Sequence, residues 1–264
     1  MFADSHAHLD FDSFDEDRGV VIQRAKDNEL QFIINIAIDL PAARHSIELA
    51  RTYPGFIFAT AGIHPNYSAN LVAIQFTDLE ELASSHEVVA VGEIGLDYYR
   101  DYATPQQQRI ALEKQLGIAA QLDLPIVIHE RASAHELVPI LLDWHKNLPT
   151  NSRVKTSPGV MHAFSADRSF VEPLLERGFC FGIGGPVTYK NAPEKQALVS
   201  SLPLEKILLE TDCPFMPPQK HRGQRNEPSF IPLIAQKIAE IKGLSVEEVG
   251  NQSTDNACRV FQLV

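Results

Sequence analysis

Residues 88–97 read VVAVGEIGLD, residues 104–122 read TPQQQRIALEKQLGIAAQL, and residues 125–130 read PIVIHE. The first stretch opens as an apolar, β-branched run over Val88–Ile94 with Glu93 near its close. In the second, Thr104 offers an N-cap oxygen, Pro105 suits the first helical position and Gln107 completes a capping box. Ile110, Leu116 and Leu122 continue an apolar helical pattern. Pro125–Ile128 is a second apolar strand, closed by His129. Strand, capped helix and strand make one α/β unit, and a chemically active side chain closes each strand.

The same unit recurs along the chain. Phe2–Ser5, Phe32–Ile38, Phe56–Ile63, Gly159–His162, Phe179–Ile183 and Ile207–Leu209 are further short apolar runs, with helical patterns between them. Near the C-terminus, Ile231, Ile234, Ala235, Ile238 and Ile241 mark one helix face before Gly243, and Ser245 to Glu248 form another capping box. Eight strands alternating with helices predict an α/β protein with a (β/α)8 TIM barrel, amidohydrolase-like, built as a single domain over residues 1–264. A doubly wound sheet is the competing architecture. The Gly182-Ile183-Gly184-Gly185 stretch lacks the spacing of either phosphate-binding glycine loop that such a sheet carries.

Composition narrows the chemistry. With 264 residues and 44% hydrophobic content the chain can bury a large core. It shows no leader-like segment and no apolar run near the ~18 residues of a membrane span, which predicts a soluble, cytoplasmic protein that does not engage membranes. Cys180, Cys213 and Cys258 are odd in number and widely spaced, which suits a reducing compartment and leaves any metal site to histidine and carboxylate. A net charge of −11 argues against a broad nucleic-acid-coating surface. It leaves room for one basic loop, in which Lys220, Arg222 and Arg225 stand within six residues.

Histidines fall where barrel chemistry collects. His6, His8, His64, His129 and His162 lie at the C-terminal ends of predicted strands, whereas His45, His135 and His145 fall in helical patterns, His86 precedes a strand and His221 sits in the basic loop. His6 and His8, two apart on a strand, face the same way and can chelate one ion. Glu93 and Asp212 close apolar runs in the same manner. His6, His8, Glu93, His129, His162 and Asp212 would therefore converge from five strands. That is enough for two divalent metal ions, zinc, manganese or magnesium, sharing a carboxylate. Asp212 can touch both a metal and an attacking water, which makes it the candidate base. Glu210 and Asp4 read as hydrogen-bond partners of the ligands.

The wording of these segments, DSHAHLD, GIHP, VGEIGLDYYR, QRIALEKQLGIAAQLDLPIVIHER, HAFS, LLETDCPFMPP and HRGQRNEP, resembles the TatD family of metal-dependent deoxyribonucleases within the amidohydrolase superfamily. The resemblance runs from Asp4 to the C-terminus. It departs at His162-Ala163-Phe164-Ser165-Ala166, where the family often carries His-Cys-Phe-Ser-Gly. The resemblance implies one ion held by His6, His8, Glu93 and Asp212, a second by Glu93, His129 and His162, and a bridge at Glu93. It implies a catalytic part for His64 near the scissile phosphate, and a phosphate-binding part for the loop carrying Lys220, Arg222 and Arg225.

The expected activity is hydrolysis of DNA phosphodiesters by metal-activated water, as a 3′–5′ exodeoxyribonuclease acting on DNA ends or single strands, with no obligate protein partner. An amidohydrolase acting on a cyclic amide, ester or nucleobase would use the same cradle; clustered cations favour an anionic substrate. A non-catalytic metal-containing interaction protein would have lost ligands, and none of the expected positions is replaced.

Overall fold

In the computed structural model, residues 1–164 and 168–263 are described, Arg168 in its backbone only. Ser165 and Ala166, at the departure after His162, lie outside the described residues. Eight strands, β1 (Phe2–Ala7), β2 (Leu30–Asn35), β3 (Ile57–Ala61), β4 (Val88–Asp97), β5 (Ile126–Arg131), β6 (Gly159–Met161), β7 (Cys180–Ile183) and β8 (Ile207–Leu209), form one sheet in chain order. Every neighbouring pair is parallel. Between β8 and β1 the sheet closes through Asp212 N–H to the His6 carbonyl (2.8 Å), His8 N–H to the Cys213 carbonyl (2.9 Å) and an Ala7–Cys213 bridge. The chain is a (β/α)8 barrel.

Helices α1 (Arg18–Asp27), α2 (Leu40–Thr52), α3 (Ala73–Ala83), α4 (Pro105–Leu122), α5 (Ala134–Asn147), α6 (Val171–Glu176) and α7 (Pro193–Ser201) follow β1 to β7, and α8 (Ile231–Lys242) and α9 (Val246–Phe261) follow β8. α4 begins with the capping box read from sequence: the Gln107 amide donates to Thr104 Oγ1 (3.3 Å), and Gln107 Oε1 accepts from Thr104 N–H (2.9 Å). α9 buries Ala257, Val260 and Phe261 against Ala3, Ile34, Ala90, Val127, Val160 and Leu208 of the strands. Burying a side chain such as Phe261 stabilises the fold by about 1.5–3 kcal/mol.

Two strands differ from expectation in ways that bear on function. β4 continues three residues beyond Ile94 to Asp97, pairing Gly95 with His129 and Asp97 with Arg131. Gly95 has φ of 149°, and a Cβ there would overlap the His129 backbone, so only glycine permits this approach. β2 begins at Leu30 and stops at Asn35, short of Ile38. Side chains take over its hydrogen bonding at that point: Ser46 Oγ donates to the Asn35 carbonyl (2.9 Å), and Ala37 N–H donates to Thr60 Oγ1 (3.0 Å).

Candidate metal centre

At the C-terminal ends of the strands lies a cavity of about 720 Å³ lined by His8, His64, Glu93, His129, His162 and Asp212 among others. His6 is fully buried beneath it, its Nε2 3.2 Å from His8 Nε2 and 3.5 Å from Glu93 Oε2. Its ring stacks on His162 with centroids 3.5 Å apart. Asp212 Oδ1 lies 3.4 Å from His8 Nε2, 3.7 Å from His162 Nε2 and 3.8 Å from His6 Nε2. The six residues expected to hold metal come together, with His64, in three overlapping sets, His6–His8–Glu93, His6–His162–Asp212 and His64–Glu93–His129, each with donor atoms within 4.8 Å of one another; His162 groups with His6 and Asp212 rather than with Glu93 and His129.

Three of the imidazoles have an oxygen behind the ring. His8 Nδ1 donates to the Ile36 carbonyl (2.9 Å), which turns its Nε2 to the cavity, 3.4 Å from Asp212 Oδ1. His129 lies between two carboxylates, Nδ1 2.9 Å from Glu93 Oε1 and Nε2 3.1 Å from Asp97 Oδ2. His162 Nδ1 is 3.1 Å from Glu210 Oε1, and Glu210 also accepts from the Ala163 amide (2.8 Å). Gly182 leaves room for that carboxylate, since a Cβ there would collide with it. Asp4 accepts from the His6 and Thr211 amides (3.2 and 2.9 Å) and from the Thr211 hydroxyl (2.5 Å), tying β1, which carries His6, to the segment after β8 that carries Asp212.

Electrostatics mark the cavity as a place for cations. Burial works against charge on every group here. Glu93 nevertheless stays well below the usual carboxylate range, because imidazoles surround it. Burial likewise fails to keep His129 neutral: hydrogen bonds to Asp97 and Glu93 raise it to about 9. Glu210 and Asp212 raise His162 to about 10 against the same desolvation. Two protons thus occupy positions that an ion would take in their place. Buried His6 Nδ1 has no hydrogen-bond partner, and its Nε2 lies 3.2 Å from His8 Nε2. A donor set of imidazole nitrogens and carboxylate oxygens with carboxylates behind the rings fits divalent zinc or manganese.

His64 differs. Its Nδ1 accepts from the Asn66 amide (3.1 Å), so a neutral ring carries its proton on Nε2, which points into the cavity 3.8 Å from Glu93. Burial lowers its pKa to about 3, keeping it neutral. Asp212 sits at φ 57°, a left-handed conformation that non-glycine residues adopt at some cost.

The chain matches a family model described as TatD related DNase over residues 3–262. The chain belongs to the TatD family. Among curated relatives it is 34% identical over the full length of both chains to an uncharacterized metal-dependent hydrolase, YabD, of Bacillus subtilis. It is 33% identical to the 3′-5′ ssDNA/RNA exonuclease TatD of Erwinia tasmaniensis, covering 98% of this chain and 99% of that one. Among solved structures, the TatD homologue YjjV of Escherichia coli superposes with a TM-score of 0.90 at 30% identity, covering 100% of this chain and 98% of that chain. This TatD-family chain is a metal-dependent hydrolase.

The basic loop lies elsewhere than expected. None of Lys220, Arg222 and Arg225 lines the cavity. Arg225 is held by Asp17 (2.6 Å) and the Ser13 carbonyl, with its guanidinium over Phe14, and Arg222 lies over Tyr189. The adjoining Asn226 is fully buried and donates to the Thr211 and Phe215 carbonyls (both 2.7 Å), pinning the turn that carries Asp212. Glu227 grips Arg24 of α1 through both oxygens. The HRGQRNEP segment therefore shapes the site by holding the turn after β8 in place. Asp97, which sequence reading passed over, shares β4 and its parity with Glu93; that spacing of four was the available signal. Among the described residues, no helix is long and apolar enough to cross a membrane.

Proposed function

We propose that this TatD-family hydrolase is a 3′–5′ exonuclease of single-stranded nucleic acid, DNA above all, using two divalent ions held by His6, His8, Glu93, His129, His162 and Asp212. Supporting this reading above all is the cluster of imidazoles backed by Asp97, Glu210 and the Ile36 carbonyl around Glu93 and Asp212. Glu93 has one oxygen toward His6 and the other toward His129, the arrangement of a carboxylate shared by two sites. When bound, the ions supply positive charge that acidifies water and neutralises phosphate oxygens. Asp212, aimed into the cavity, accepts the proton of the attacking water. Neutral His64 offers its Nε2–H to the phosphate or the leaving oxygen. A relative named as a 3′-5′ ssDNA/RNA exonuclease supports the polarity and substrate. Free Cys180, Cys213 and Cys258 support a cytoplasmic location.

The test compares protein loaded with zinc, manganese or magnesium on linear single strands, linear duplex, 3′-blocked strands and closed circles. Shortening from free 3′ ends is expected. Closed circles cut as fast as linear strands would overturn end-directed action, and rapid digestion of 3′-blocked strands would overturn the polarity.

A further inference from the structure

The cavity is acid-rich at its floor, yet three cations line it: Arg100 from the loop after β4, Arg131 at the end of β5, and Lys195 from α7. Elsewhere, Arg18, Arg24, Arg51, Arg109, Arg153 and Arg225 each hold a carboxylate. In a chain of net charge −11 such partners are plentiful. Among the described residues, none of the three cations of the mouth has a carboxylate within ion-pair distance, although the charge of Glu210 reaches Lys195. The Arg131 guanidinium instead stacks 3.9 Å over the Tyr99 ring, with Arg100 5.5 Å from the same centroid. Stacking occupies the face of a guanidinium and leaves its edge of N–H donors open, the edge that matches a phosphate. Lys195 is half-buried, so its ammonium has lost part of its water and gains from an anion.

The opposite side of the mouth is apolar. Phe11, in the loop after β1, stacks on His8 with centroids 4.8 Å apart. Phe215, after β8, stands edge-on to Phe11 (5.9 Å) and to His8 (6.3 Å) and is 49% exposed, with Met216 beside it 41% exposed. In an eight-stranded barrel β1 and β8 lie across from β4 and β5, so the candidate ligands stand between the aromatic side chains and the two arginines, with Lys195, which follows β7, flanking the aromatic side. Aromatic side chains hold single-stranded bases through their π-faces with little sequence preference.

We propose that Arg100, Arg131 and Lys195 bind the backbone phosphates of a single strand whose terminal base lies against Phe11, Phe215 and Met216. This assigns a strand path to the same site and rests on its reading as a phosphodiesterase. It also accounts for Asp97: its Oδ1 accepts the Tyr99 and Arg100 amides (both 3.0 Å) while Oδ2 faces His129, so the cationic loop is hung from a candidate ligand.

Binding of a 5′-labelled oligothymidylate octamer, made uncleavable by phosphorothioate linkages, reads these contacts by fluorescence anisotropy on the full chain as purified. Arg131→Gln and Lys195→Gln should each raise Kd three- to tenfold and flatten the slope of log K against log salt by about 0.7. Phe215→Ala should raise Kd fivefold or more, with the effect abolished when the octamer's 3′-terminal base is removed. Arg44→Gln, which deletes an equal charge from α2, should leave Kd and slope at wild-type values. Lys195→Arg should restore affinity if Lys195→Gln lowers the melting temperature. Wild-type Kd and slope in both cation variants, or no octamer binding by the wild type, overturns the assignment. If the wild type binds but hydrolyses no nucleic acid with any of the three metals, the functional reading fails while the anisotropy result on the path still stands.

Discussion

Asp97 Oδ2 lies 3.1 Å from His129 Nε2, on the opposite side of the ring from Glu93. This contact makes Asp97 the orienting partner of a candidate ligand that keeps its Nδ1 for the cavity. Asp97→Asn should therefore weaken metal binding or lower turnover by about 10- to 100-fold. The asparagine can still accept the Tyr99 and Arg100 amides, so metal-free melts should change little. Metal titration and steady-state kinetics check both.

Protons and metal should compete. His129 at about 9 and His162 at about 10 are charged in the metal-free protein at neutral pH. A ligand must be neutral, so loading at pH 7.5 should release about one proton per imidazole displaced. Calorimetry in buffers of different ionisation enthalpy counts them. The sign for stability follows from folded pKa values above the ordinary 6.5: this contribution is complete below about pH 6.5 in the metal-free protein and is lost as pH rises through about 9 to 10. Metal affinity should move the other way, rising with pH over the same range. Melts and titrations between pH 6 and 10 test the pair of trends.

Glu93→Gln should abolish most activity, with kcat down about a hundredfold or more, and should weaken both ions together. Elemental analysis after dialysis separates this from the loss of a single site. Unchanged metal content and rate would remove Glu93 from its shared position.

Asn226→Ala leaves the Thr211 and Phe215 carbonyls without their donor. A cost of about 1–3 kcal/mol is expected, which in a chain of this size lowers Tm by about 2–4 °C per kcal/mol. Because those carbonyls flank Asp212, kcat should fall more than KM rises.

Much of this could be seen in the chain before folding. Strand ends are legible because an apolar β-branched run stops abruptly at a polar residue, and so His6, His8, Glu93, His129, His162 and Asp212 stood out together. Parity could also have found Asp97, two steps of alternation beyond Glu93, but the strand was read as ending at Ile94. Cations were harder. Arg131 and Lys195 differ from any surface cation only in what surrounds them, and that is fixed by loops after different strands. The charge density of Lys220 to Arg225 was visible; the partner that neutralises Arg225, Asp17, is 208 residues away in sequence.

The seam between β8 and β1, closed by the Asp212 and His8 amides, joins positions from opposite ends of the polypeptide. During synthesis, His6, His8, Glu93, His129 and His162 are all made while Asp212 is still to come. Neither the barrel nor the full set of ligands exists until the last strand docks beside the first. Docking of that segment thus completes the barrel and the candidate ligand set together, and a nascent chain stalled before residue 212 would lack Asp212.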